Sequence, residues 1–309
     1  MKPSSVRRLA VLAASAAAVG ATLVATLPNA SAAPAAHHPA RTSTATKHAE
    51  PRYLALGDSV PFGYRGKYAV VAPNYNKPHS FVGYPEIVAR DLGFRLINAS
   101  CPGETTASMI NKTRKSNGCT NVNGSGPGYR DAYPLKVKYS DSQLRFALSF
   151  LRQHPKTKLV SLMIGANDGF LCQEFHHGCQ GSAQIALIKR IQKNVTTIMD
   201  RIRNRAHYKG QVVIVNYYSL NYADANQNAL VSILNQVVDN AAKPYHVQVA
   251  DGFGALQKAA KIAGGNTCAA GLLWPTPADP TPNHPCDVHP SPAGQALLAT
   301  AVEPVVRKG

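Results

Sequence analysis

Apolar residues recur along this chain in two rhythms. Short continuous runs at positions 53–56, 94–98, 158–164, 212–216 and 246–250 are bounded by turn residues and read as buried strands. Between them lie stretches of helical period: 84–92 closed by Gly93, 142–153, 183–206 and 223–242, with a last one at 292–306. In the third of these, Ile188, Ile191, Val195, Ile198 and Ile202 mark one buried stripe. Strands alternating with helices predict a parallel sheet covered on both faces. The expected fold is α/β, a three-layer α/β/α sandwich around a flavodoxin-like five-stranded parallel sheet. Segments 61–80, 111–140 and 269–285 are rich in Gly, Pro, Asn and other polar residues and are expected as loops. Gly124-Ser125-Gly126-Pro127-Gly128 is no phosphate loop, because no Lys-Ser/Thr follows it and no strand precedes it.

The first 51 of the 309 residues follow neither rhythm. Lys2, Arg7 and Arg8 precede an Ala/Leu/Val-rich run from 9 to 27, and Ala30-Ser31-Ala32 follows. This is the pattern of a secretory signal peptide over 1–32, cut near Ala32/Ala33, so a secreted, extracellular protein is expected. Residues 33–51, mostly Ala, Pro, His and Thr, bury too little apolar surface to fold and are expected as a disordered leader. The remaining 52–309 suits one domain. Six cysteines in an exported chain predict three disulfides. Among the possible connectivities the sequential pairing is preferred: Cys101-Cys119, Cys172-Cys179 and Cys268-Cys286. Metal binding by His284, Cys286 and His289 is the rival reading, disfavoured by the even count and the oxidising compartment.

Charge adds a second theme. The formal net charge of +17 becomes +14 once Lys2, Arg7 and Arg8 leave with the signal, and such a surface favours anionic membranes or cell-wall polymers. The densest cluster, Lys189, Arg190, Lys193, Arg201, Arg203 and Arg205, reads as the solvated face of the striped helix. No interleaved aromatics accompany it, so nucleic acid is not an expected partner.

Candidate chemistry gathers where strands end, the place at which open α/β sheets hold their sites. Ser59 follows the first strand within Gly57-Asp58-Ser59, Gly103 follows the second, Asn167 follows the third, and His289 precedes the last helix. Acyl transfer needs a nucleophile, a base for its proton, and donors where charge develops on the carbonyl oxygen. Ser59 and His289 supply the first two. The N–H groups of Ser59 and Gly103 and the side-chain amide of Asn167 form the candidate oxyanion hole. Each residue alone has an ordinary reading: Ser59 and Gly103 as turn residues, Asn167 as a helix cap, His289 as a surface histidine. Asp58 and Asp168 are expected to fasten their loops by accepting N–H groups.

In Gly57-Asp58-Ser59, Gly103, Gly165-Ala166-Asn167-Asp168 and Asp287-Val288-His289-Pro290 the chain resembles the SGNH (GDSL) hydrolase family. With its six cysteines it resembles that family's secreted, three-disulfide actinobacterial esterases and lipases. The likeness runs from about Arg52 to the C-terminus and implies the SGNH fold. It further implies a serine esterase or lipase cleaving lipid or short-acyl carboxylic esters through an acyl-Ser59 intermediate, with no metal or organic cofactor. Carbohydrate deacetylation is the alternative within the family. A secreted cationic binding protein for anionic polymers is the alternative outside enzymes. A monomer is expected. One departure bears on mechanism: the family's acid usually stands three residues before the histidine, where this chain has Cys286, and Asp287 stands two before. Either the Asp287 carboxylate or a backbone carbonyl near 286 or 287 would orient His289, and the sequence leaves both open.

Overall fold

The computed structural model describes residues 50–176, 178–279 and 285–307. The expected signal peptide, most of the leader, and His284 lie outside them. Five strands, β1 (Arg52–Gly57), β2 (Arg95–Asn98), β3 (Leu159–Met163), β4 (Gln211–Val215) and β5 (Gln248–Ala250), form one sheet in the order β2-β1-β3-β4-β5. All four pairings are parallel, with Leu54 opposite Ile97 on one side and Val160 on the other. This is the three-layer α/β/α sandwich around a five-stranded parallel sheet that the sequence predicts.

The helices are α1 (Ser59–Phe62), α2 (Tyr84–Leu92), α3 (Thr106–Ile110), α4 (Tyr129–Ala132) and α5 (Gln143–Gln153) in the first half of the chain. They continue with α6 (Ala166–Phe175), α7 (Ser182–Asp200), α8 (Ala225–Ala242), α9 (Gly252–Ala260) and α10 (Pro292–Val302). A two-stranded antiparallel hairpin, β6 (Leu273–Pro275) with β7 (Cys286–Pro290), lies outside the main sheet.

Alternate side chains along a strand point to opposite faces, and the two cores follow that rule. Leu54, Leu56, Val160, Leu162, Val212 and Ile214 pack with α3, α5, α7 and α8 on one face. Tyr53, Ala55, Leu159, Met163, Val213 and Val215 pack with α2, α9 and α10 on the other. Covered on both sides, the strands carry continuous apolar runs rather than apolar–polar alternation. Ser161 is the polar exception in β3; it is fully buried and bonds the Tyr53 hydroxyl at 2.7 Å.

Several boundaries differ from the sequence expectation for local reasons. The 223–242 helix starts at Ala225 because Asp224 caps it, accepting from the N–H groups of Asn226 and Gln227. The fifth strand starts at Gln248 because His246 takes a left-handed conformation, φ +53°, after a 3-10 turn. The striped helix ends as α-helix at Asp200 and continues as a π-helical turn, Arg201–Arg205. Arg203 corrects the expectation of a wholly solvated cationic face. Its guanidinium turns inward and donates to the carbonyls of Gly210 at 2.7 Å, Tyr245 at 3.0 Å and Tyr208 at 3.1 Å.

Candidate active site

β1 delivers Ser59 through a tight exit. Gly57 has φ +130°, and a Cβ there would lie 2.0 Å from the Met163 carbonyl oxygen at the end of β3, so only glycine fits. Asp58 caps α1 by accepting from the Val60 N–H at 3.0 Å, which makes Ser59 the first helical residue. The N–H of a first helical residue has no partner within its helix. Neither Ser59 N–H nor Gly103 N–H donates to a protein acceptor among the described residues. Gly103 has φ +80°, and a Cβ there would lie 2.3 Å from the Asn117 carbonyl oxygen. Crowding from the Asn117 backbone therefore demands glycine at 103.

Asn167 is the second residue of α6, whose cap is Gly165; its side chain does not cap that helix. Its amide instead spans the rim. The Asn167 oxygen accepts from Asn117 Nδ2 at 2.8 Å, which fixes the amide's orientation. Its nitrogen donates to the Glu104 carbonyl at 3.1 Å and, more weakly, to Asp58 at 3.3 Å. Ser59, Gly103, Asn117, Asn167 and His289 all line one cavity of about 680 Å³.

β7 carries the remaining pair. Asp287 Oδ1 lies 2.7 Å from His289 Nδ1, and Asp287 Oδ2 accepts from the Gly66 N–H. Thus the carboxylate, not a backbone carbonyl, meets Nδ1. Burial alone would raise the Asp287 carboxyl. The hydrogen bond and charge of His289, with the Gly66 N–H, outweigh burial and hold it below the usual carboxylate range. The Tyr64 ring packs edge-on against the imidazole, with centroids 4.9 Å apart.

Three buried carboxyls, Asp58, Glu104 and Asp168, brace the strand ends. Asp58, 1 % exposed, accepts from the Tyr217 hydroxyl as well as from Val60 and Asn167. Burial pushes it up to about 6 despite those donors. Glu104 is fully buried against Ser108 and Gln143, and burial pushes it up to about 7. Asp168 accepts from Thr106 N–H at 2.8 Å and Thr106 Oγ1 at 2.7 Å, tying the start of α6 to that of α3. Sequence reasoning passed over Glu104, Asn117, Gln143 and Tyr217. The Gln143 amide clasps Gly57 through both its N–H, at 2.7 Å, and its carbonyl, at 2.9 Å, and also donates to Glu104 at 3.1 Å. Tyr217 stands two residues past β4, so the strand-end rule that picked out Ser59 would also have found it.

The disulfides are Cys101–Cys119, Cys172–Cys179 and Cys268–Cys286, and no free cysteine remains among the described residues. Cys101, Glu104 and Cys119 cluster closely enough to suggest metal ligands. Both sulfurs are spent in the disulfide, so the trio does not fit an ion.

The model of the GDSL-like lipase/acylhydrolase family matches residues 55–297. A solved acetyl xylan esterase variant from Geobacillus stearothermophilus has the same fold, with TM-score 0.50 and 16% sequence identity over 84% of this chain and 96% of that one. A phospholipase A1 from Streptomyces albidoflavus aligns with TM-score 0.48 and 20% identity over 80% of this chain and 95% of that one. No curated protein sequence matches the chain. Since the family match reaches from inside β1 into α10 and so takes in the whole rim of the sheet, the chain belongs to the GDSL-like lipase/acylhydrolase family and is a carboxylic ester hydrolase.

Proposed function

We propose that the protein is a secreted lipid-ester hydrolase working through an acyl-Ser59 intermediate. Ser59 Oγ attacks the ester carbonyl carbon while His289 Nε2 takes its proton, and Asp287 holds the ring with Nε2 toward the serine. The tetrahedral oxyanion is held by the N–H groups of Ser59 and Gly103 and by Asn167. Asn167's long contact to Asp58 is the bond it shares most readily with the incoming charge. Collapse expels the alcohol with the proton from His289. Water then attacks the acyl carbon, giving its proton to His289, and the acid leaves as Ser59 regains a hydrogen.

The observation that carries the lipid reading is the wall of the cavity. Beyond Ser59 it is lined by Leu187, Ile188 and Ile191 of α7 and by Leu230, Leu234 and Val237 of α8. Gln173, Gln184 and Gln227 line the cavity too, but this apolar stretch suits an acyl chain, whereas a sugar lying along it would leave hydroxyls unpaired. Tyr64, Tyr129, Phe170, Tyr217 and Tyr218 line the cavity as well, while Tyr84, the first residue of α2, is fully buried in the core. Export through the 1–32 signal belongs to the same proposal; pairing of every described cysteine supports an oxidising destination.

The test is turnover of nitrophenyl esters from acetyl to palmitoyl by the wild type and by Ser59→Ala. The expected kcat/KM rises with chain length beyond acetyl, and Ser59→Ala loses turnover on every ester. A maximum at acetyl would favour deacetylation, and a Ser59→Ala enzyme that still turned over would remove the nucleophile from the mechanism.

A further inference from the structure

A second concavity, unconnected with the proposed chemistry, lies on the outer surface between α5 and α7, with α3 and α6 at one end, and encloses about 1440 Å³. Nine Arg and Lys side chains line it, against two acids, Asp141 and Asp168. Asp168 is spent on Thr106, and Asp141 pairs only with Arg145, at 3.4 Å with both side chains exposed. None of the other eight cations makes an ion pair among the described residues.

The arrangement has direction. Arg190, Lys193 and Arg201 recur at helical spacing along α7 and its continuation, and Arg205 extends the row. At 1.5 Å per residue the first three span about 16 Å along the helix axis. Arg145 and Arg152, about two turns apart on α5, form a second row. α5 leads into β3 and α7 into β4 as crossover helices packed on one face of the sheet, so the channel lies over that face rather than across the strand-end rim. A planar membrane would meet such a channel only at its lips. A single extended chain would lie along it, between the two rows.

We propose that this channel is a docking site for a linear polyanion carrying a phosphate in every repeat. Six of the nine cations are arginines, whose planar fork matches phosphate oxygens in pairs. Among the described residues only Phe175 and His176, adjacent at one end of the channel, bring aromatic rings to its lining, too few for a run of stacked bases, so a base-free polymer fits better than nucleic acid. Ile110, Leu148 and Leu171 supply apolar surface against the carbon of such repeats. On the other side of α7, Leu187, Ile188 and Ile191 wall the ester cavity, so one helix would serve two separate surfaces.

Titration calorimetry of the full-length protein with medium-length inorganic polyphosphate tests this, with orthophosphate, a single-stranded oligonucleotide and phosphatidylglycerol vesicles as comparisons. Polyphosphate should bind most tightly of the four. The pair Lys193→Gln and Arg205→Gln, on exposed positions of the channel, should weaken it by about tenfold or more and make the slope of log K against log salt shallower by roughly 1.4. The pair Lys258→Gln and Lys261→Gln removes the same charge from the opposite layer and should change affinity by less than about twofold. Both variants should keep wild-type turnover of a short soluble ester, showing that they fold. Equal weakening by the two pairs would reduce the effect to net charge and overturn the proposal. So would tighter binding to vesicles or to the oligonucleotide, or no binding of polyphosphate at all.

Discussion

Asp287 stands one residue closer to its histidine than the family resemblance leads one to expect, and the local backbone shows why that spacing still serves. Residues two apart on an extended strand point to the same side. β7 therefore turns Asp287 and His289 toward each other, where a helical turn or a loop would ask for a different separation. The Gly66 N–H on the second carboxylate oxygen fixes the remaining freedom. Asp287→Asn keeps the shape but changes which groups donate, and should lower kcat by about 10⁴ with an unchanged circular dichroism spectrum. A loss of less than about tenfold would mean that the carboxylate contributes little. At the oxyanion end, Asn167→Ala should cost about 3 to 4 kcal/mol of transition-state stabilisation, read as a fall in kcat with KM held nearly constant.

The β6–β7 hairpin is the element that carries Asp287 and His289, and it lies outside the main sheet. Cys286 begins β7 one residue before Asp287 and is bonded to Cys268, 18 positions back. Removing that bond by Cys268→Ala with Cys286→Ala should lower unfolding free energy by about 3 kcal/mol in the chain-entropy model, and should lower kcat as the hairpin loosens. Denaturant unfolding and ester turnover measured together would check this; unchanged kcat would show that β7 holds its own shape. The same hairpin marks where the sequence was hard to read. Its strands contain Pro275, Pro285 just before β7, and Pro290, residues that argue against a strand away from sheet edges. The helix at Gly252–Ala260 opens on two glycines of low helical propensity, although Asp251, which caps it at Gly254, was a usable signal. By contrast, the five runs declared themselves, because strands covered on both faces carry few polar positions, such as Ser161, to confuse the pattern. Strand ends then exposed Ser59, Gly103, Asn167 and His289 as candidates. Gln143 was illegible, since its clasp on Gly57 joins positions 86 apart and leaves no local trace.

At the scale of the whole molecule, the rim is built on carboxyls buried at a cost, and that cost should appear in the dependence of stability on pH. Asp58 is pushed up to about 6 and Glu104 to about 7, both first by burial, and Asp168 is raised by the same cause. A group whose folded pKa exceeds its unfolded one binds more protons folded than unfolded between the two values. Its favourable contribution is therefore complete below the unfolded pKa, near 4, and is lost as pH rises through the folded value. Asp287 acts in the opposite sense: its depressed carboxyl stabilises above the ordinary carboxylate range and loses that contribution as pH falls through the depressed value. The two directions leave a window of about pH 4 to 7 in which the raised groups dominate and stability should decline with rising pH. Self-repulsion among the excess of basic residues sharpens only at the acid end, as carboxylates are neutralised. Glu104→Gln removes one such sloping contribution while keeping an acceptor for Gln143. Thermal or urea unfolding should show the variant gaining on the wild type by up to about 3 kcal/mol between pH 5 and pH 8. Parallel curves for the two proteins would show that Glu104 keeps an ordinary pKa when folded. A gain in stability with reduced kcat would show that the buried carboxyl holds the Gly57 and Gly103 turns at catalytic spacing at the expense of the fold, as sites organised around developing charge are expected to do.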